Sequence, residues 1–203
     1  MKRMTVLTVI SVLAGLSINA LQAETQAKPE WAKSATQSDI IKVDHWQKSL
    51  SDGVEAALRS GHGKEIEKRT PLFSTDIRER GLGLSDGRYH CSITKLGGGN
   101  GLTYISYPKF LCMVTKVGDK LQFTKLTGSQ MTSGWIYKST RSTGIYLGTS
   151  FYGYEDRAPK YGSDEQRDDV AIVERVGDRR WRMVFPDPYY ESEADVMELT
   201  PVR

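Results

Sequence analysis

Histidine and cysteine are scarce in this 203-residue chain, which has three of the first and two of the second. The histidines are His45, His62 and His90, and none has another His, Cys or carboxylate at a ligand spacing. A zinc or iron centre would have to be assembled from distant pieces of chain, so no metal and no other cofactor is expected. No nucleophile elbow is expected either: the serine that draws notice, Ser129 in Gly128-Ser129-Gln130, has no recognisable partner histidine. The run Leu96-Gly97-Gly98-Gly99-Asn100-Gly101 lacks the lysine and following helix of a phosphate loop and reads as a flexible hairpin tip. There is no excess of one charge to draw the chain to nucleic acid, and no second long apolar run follows the first.

That first run is informative. Lys2 and Arg3 precede an uncharged apolar stretch from Met4 to Ala20, with Leu21-Gln22-Ala23 before Glu24. This is the pattern of a secretory signal peptide cleaved after Ala20 or Ala23, with an uncleaved anchor as the alternative. Removing residues 1–23 takes away Lys2 and Arg3 and no acid, so 28 basic against 25 acidic residues becomes 26 against 25. The expected mature protein is periplasmic or secreted, nearly neutral and without a membrane span. In an oxidising compartment Cys91 and Cys112 are read as a disulfide, two buried free thiols being the alternative. Closing that loop should stabilise the fold by roughly 3 kcal/mol through the unfolded state.

After a flexible leader over residues 24–36, the spacing predicts a helical segment over 37–68. Ser38 is its expected N-cap, and Leu50, Val54, Ala57 and Leu58 recur at three and four. Gly53 leaves open whether this is one helix or two. Residues 77–86 are expected as loop. From Gly87 the period changes to two, and nine short strands follow, two pairs of them joined at Gly118-Asp119 and Gly177-Asp178. Tyr89, Cys91 and Ile93 share one face, which makes the cysteine bridge a core feature. The expected fold class is α+β: an N-terminal helical segment packed on a mostly antiparallel small β-barrel or strongly curled sheet, residues 87–203, forming one unit with the helices. A flat sandwich is the alternative.

Two charged stretches stand out. The loop 153–169 carries Glu155, Asp164, Asp168 and Asp169 with Arg157 and Arg167. Arg167 with Asp164 or Asp168 is read mainly as a salt bridge that pins the loop, with ligand or calcium binding or glycoside hydrolysis by the acids as other uses. Arg175, Arg179, Arg180 and Arg182 around Trp181 read as a solvated outer face opposite acids such as Glu174 and Asp178.

The ordered segments Gly87-Arg88-Tyr89-His90-Cys91, Tyr107-Pro108-Lys109-Phe110-Leu111-Cys112, Leu126-Thr127-Gly128-Ser129-Gln130, Tyr146-Leu147-Gly148-Thr149 and Arg180-Trp181-Arg182 resemble the bacterial secreted family called domain of unknown function 4893. The resemblance covers most of the mature chain and implies export, but no activity. The chain departs from the family's usual pattern at Met131, where an arginine commonly follows Gly-Ser-Gln, and at Tyr154, where an acid is common. Locally, Ser133-Gly134-x-x-Tyr137 downstream of Tyr89-x-Cys91 is similar to the loop motif of periplasmic C-type lysozyme inhibitors, with a β-bulge at Gly134 as the plainer reading.

Together these features imply a non-catalytic periplasmic binding module for a protein or a cell-envelope ligand. Its surface is expected at Gln130, Ser133, Gly134 and Tyr137, and at Tyr161, Asp164, Arg167 and Asp168. The alternative is a hydrolase acting on envelope glycans through Glu155 with Asp164 or Asp168.

Overall fold

A computed structural model describes residues 28–76, 81–99, 101–107, 109–190 and 192–202. The region expected as a signal peptide, and residues 77–80 of the expected loop, lie outside the described residues. Nine strands are found where period-two alternation places them: β1 (Gly87–Leu96), β2 (Tyr104–Ser106), β3 (Phe110–Val117), β4 (Lys120–Lys125), β5 (Gln130–Lys138), β6 (Thr143–Tyr152), β7 (Asp168–Gly177), β8 (Arg180–Pro186) and β9 (Ala194–Pro201). Each pairs antiparallel with the next around the sheet, and β1 pairs with β9 over its length from Tyr89 to Leu96, so eight strands close into a barrel. Closure removes the free edges that an open sheet would present. β2 and β3 both pair with β1, at its two ends, and β2 is the extra strand.

Alternation sorts the side chains onto two faces, one lining the barrel and one turned to the helices. Inside the barrel lie Tyr89, Cys91, Cys112, Phe123, Tyr146 and Met183 with their neighbours. Tyr89 stands opposite Cys112 and Cys91 opposite Phe110, so the two cysteines are diagonal neighbours on the inner face. They are joined as a disulfide with a Cα separation of 6.0 Å, 1% and 0% exposed. One barrel end is plugged by the chain entering β1: Leu82 and Leu84 pack into the inner core, and the Trp181 indole N–H donates to the Leu82 carbonyl. Leu84 and Ser85 belong to a Gly-x-Ser-x-Gly sequence, Gly83 to Gly87, but it leads into a strand and its Ser85 carbonyl accepts from Tyr89 Oη. That is not the strand-to-helix turn a nucleophile needs.

Four helices cover part of the outer wall: α1 (Glu30–Ser34), α2 (Gln37–Arg59), α3 (Gly63–Lys68) and α4 (Thr70–Phe73). The open question at Gly53 is resolved as one continuous helix. A Cβ at Gly53 would lie 2.8 Å from Leu96 Cβ, so glycine is what lets α2 lie against β1. Leu50 and Ala57, fully buried on the α2 stripe, meet Leu96, Val184 and Val196 on the outer sheet face. Burying a leucine there is worth roughly 1.5–3 kcal/mol.

Three expectations are corrected. The stretch 24–36 is not all flexible leader: residues 30–34 form α1, and Trp31 is buried against Ile145, Leu147 and Val170. The α2 cap is Thr36, whose hydroxyl accepts from the Asp39 amide at 3.2 Å; Ser38 lies inside the first turn. Arg182 is not solvated but 0% exposed. Its guanidinium donates to Glu174 at 2.6 and 3.0 Å and to the Leu72 and Ser74 carbonyls at 2.8 and 2.6 Å, and it lies over the Trp46 ring. Helices cover this part of the outer wall, so an outward-pointing residue on β8 is buried and its charge needs a partner.

A charged mouth at the open end of the barrel

Away from the plug, the inward face of each strand turns from apolar to polar. On β7, Val173 and Ala171 give way to Asp169; on β9, Leu199 and Met197 give way to Asp195; on β4, Leu121 and Phe123 give way to Lys125. On β1 the same step reaches Lys95, on β5 Thr132 and Gln130, and on β6 Ser150. Antiparallel pairing brings these strand ends to the same end of the barrel. Two adjoining clefts of about 260 and 120 Å³ open there and share Gln130, Ser150, Asp169, Pro188 and Asp195. Ile93, Phe185 and Met197 form the apolar floor, and Tyr152, Tyr189 and Tyr190 stand at the rim. A wider concavity of about 810 Å³ on the outer wall, by His90 and Arg179, has no buried residue in its lining.

Inside the mouth the polar groups are tied into a chain. The Thr132 hydroxyl donates to Asp169 Oδ2 at 2.6 Å and is 2.7 Å from Tyr146 Oη. Burial pushes the Asp169 carboxyl up to about 7; the Thr132 hydrogen bond opposes this shift and the Asp195 charge adds to it. Burial, and then the Asp169 charge, also raise the Tyr146 phenol well above its ordinary range. Space for the Tyr146 ring comes from Gly148, where a Cβ would lie 2.1 Å from Tyr146 Oη. Across the mouth, Lys125 is 3% exposed, donates to the Thr127 and Gln130 carbonyls and sits 3.9 Å from the Phe110 ring centroid. Burial lowers its ammonium to about 8. Gly128 makes room for it, since a Cβ there would lie 2.7 Å from Lys125 Nζ. Lys95 and Asp195 face each other across β1 and β9, 4.0 Å apart. The mouth therefore offers a proton donor or acceptor near neutral pH, fixed charges of both signs, and hydroxyl and amide groups over an apolar floor.

The family model described as a domain of unknown function (DUF4893) matches residues 31–199. The chain belongs to the DUF4893 family. No curated protein and no solved structure matches it. The matched span runs from Trp31, the anchor of α1, to Leu199 in β9, so the DUF4893 unit takes in the helices as well as the barrel. Met131 lines the smaller cleft, and Tyr154 stacks on Tyr152 with centroids 5.4 Å apart.

Of the residues expected to form a site, the DUF4893 mouth gathers only Gln130 and Asp168. Ser133, Gly134 and Tyr137 lie in β5, not on a presented loop. Ser133 is hydrogen-bonded to Thr124 at 2.8 Å, and Gly134 abuts Gly148, where a Cβ would meet backbone at 2.2 Å. Tyr137 packs on the outer wall, with the Lys120 ammonium over its ring. Tyr161 anchors the loop 153–167 to α2: its hydroxyl donates to Asp39 and accepts from the Thr36 amide. Asp164 accepts from the Gln166 amide, and Asp168 accepts from the Gly162 amide at 2.9 and 3.1 Å. Arg167 pairs with Glu155 at 2.8 Å, not with Asp164 or Asp168, and holds the Glu155 carboxyl below its ordinary range. Among the described residues no three His, Cys, Asp or Glu side chains converge as metal ligands, and no helix is long and apolar enough to cross a membrane.

Asp169, Lys125, Thr132, Ser150 and Asp195 were missed as site residues. For Lys125 and Asp195 a signal was present: each stands two residues from an inward apolar residue, Phe123 and Met197, in phase with it and near a strand end.

Proposed function

We propose that this chain is an exported, non-catalytic binding module that takes a small polar ligand of the cell envelope into the open mouth of its barrel. The observation that carries this reading is the asymmetry of the two ends. Leu82 and Leu84 fill one, while the other keeps Asp169, Asp195, Lys95 and Lys125 around an unfilled cleft. Burying charge costs stability unless something is gained, and the mouth of a small barrel is a common place for a ligand. Export is supported by Lys2, Arg3 and the apolar stretch 4–20, and the Cys91–Cys112 bridge suits an oxidising compartment. The hydrolase alternative finds no support in the loop acids: Glu155, Asp164 and Asp168 each serve a local structural partner.

The test is capture from a low-molecular-weight envelope extract, with retained compounds read by mass spectrometry after gel filtration. Wild-type protein is expected to retain a compound that Gln130→Trp does not, because an indole at that exposed rim position fills the entrance. Retention by neither protein, or equally by both, overturns the proposal.

A further inference from the structure

We infer that the ligand of the mouth is a neutral saccharide; this rests on the mouth being the binding site. The charges narrow the class first. Asp168, Asp169 and Asp195 line the larger cleft, so an anion entering it meets carboxylates. Lys95 lines the same cleft within reach of Asp195, and Lys125 closes the adjoining one, so a cation meets ammonium groups already in place. A neutral ligand rich in hydroxyl groups satisfies both sets at once, donating to carboxylates and accepting from ammonium, amide and hydroxyl groups. An apolar ligand would displace water from these polar groups without replacing its hydrogen bonds, which is costly.

The rim supplies the second half of the match. Tyr189 and Tyr190 are each 54% exposed, with ring centroids 4.7 Å apart at 74°, and both line the cleft. Tyr190 Oη is anchored to Gln166 at 3.3 Å, and on the other side Tyr152 lies beneath the Arg167 guanidinium. Exposed aromatic rings beside a polar cleft favour a ligand that has one apolar face and a hydroxylated edge. A pyranose ring is such a ligand: its axial C–H groups lie on a tyrosine face while its hydroxyls reach Asp169, Ser150 and Gln130.

The experiment is an NMR titration of isotopically labelled protein with four probes, each up to about 10 mM, a range that detects millimolar binding. The probes are maltose, the disaccharide of N-acetylglucosamine, spermidine and citrate. At least one sugar is expected to shift the Ser150, Asp169 and Tyr190 signals saturably. Binding should weaken about tenfold in Tyr189→Ala/Tyr190→Ala, a loss of roughly 1.4 kcal/mol, and persist in Tyr190→Phe, which keeps the ring. Saturation of the mouth by spermidine or citrate, with no response to either sugar, overturns the saccharide inference and leaves the binding site standing. No response at the mouth to any probe also overturns it, and the extract experiment then judges the site on its own. Equal loss in Tyr190→Phe and the alanine variant overturns the stacking role of the rings.

Discussion

Replacing Asp169 by asparagine should change how stability depends on pH, and the structure sets both sign and size. Burial holds the folded-state carboxyl at about 7, against an ordinary value of 3.8. Between those values the folded protein keeps a proton that the unfolded chain has lost. Stability therefore falls as pH rises through that window, by at most ~1.4 kcal/mol per pH unit. Over the whole window the loss is up to ~4 kcal/mol, and about half that once water in the open mouth is allowed for. Asp169→Asn has no proton to lose, keeps the shape, and leaves an oxygen to accept from Thr132. The assay is urea unfolding from pH 4 to 8 with the disulfide intact. The wild type should be less stable at pH 8 than at pH 4 by about 2–4 kcal/mol relative to the variant, with the two curves meeting at the acid end. Curves that run parallel over the range would refute the reasoning, as would a carboxyl ¹³C titration of Asp169 with an ordinary midpoint.

Arg182→Met should cost about 3–5 kcal/mol in chemical denaturation, because it leaves Glu174 without its guanidinium and strips the Leu72 and Ser74 carbonyls of a donor. Arg182→Met/Glu174→Leu should recover most of that loss, since no buried charge is left unpaired. Gly53→Ala should lower stability by about 1–2 kcal/mol although alanine is the better helix former, because the new methyl meets Leu96 at 2.8 Å; equal or greater stability would place α2 farther from β1. Cys91→Ala/Cys112→Ala should lose roughly 3 kcal/mol in the same assay.

The number, order and approximate bounds of the strands were legible because each alternating run ends at a turn signal, as at Gly118-Asp119 and Gly177-Asp178. The start of β5 was not. Gln130 to Ser133 follow Gly128-Ser129 and carry little apolar bulk, so they read as loop, yet ladder bonds to β6 hold them in the wall. The phase of β7 was obscured for a different reason. Val170 and Ile172 are buried beneath α1 and α2, while Ala171 and Val173 are buried inside the barrel, so the apolar run is continuous and hides that Asp169 points inward. Tyr161 and Arg167 looked like recognition residues because they are polar and lie in a loop. Their partners, Asp39 and Glu155, could be found only once the chain was folded.

The binding role of the mouth is tested most directly by intermolecular NOEs between the labelled protein and whichever probe or extract compound binds most tightly. Contacts are predicted to the Thr132 γ-methyl, the Met131 and Met197 ε-methyls and the Tyr190 ring, all at the open end of the barrel. Contacts instead to the exposed Ile41, Leu58 or Val117 methyls would place the ligand elsewhere and contradict it.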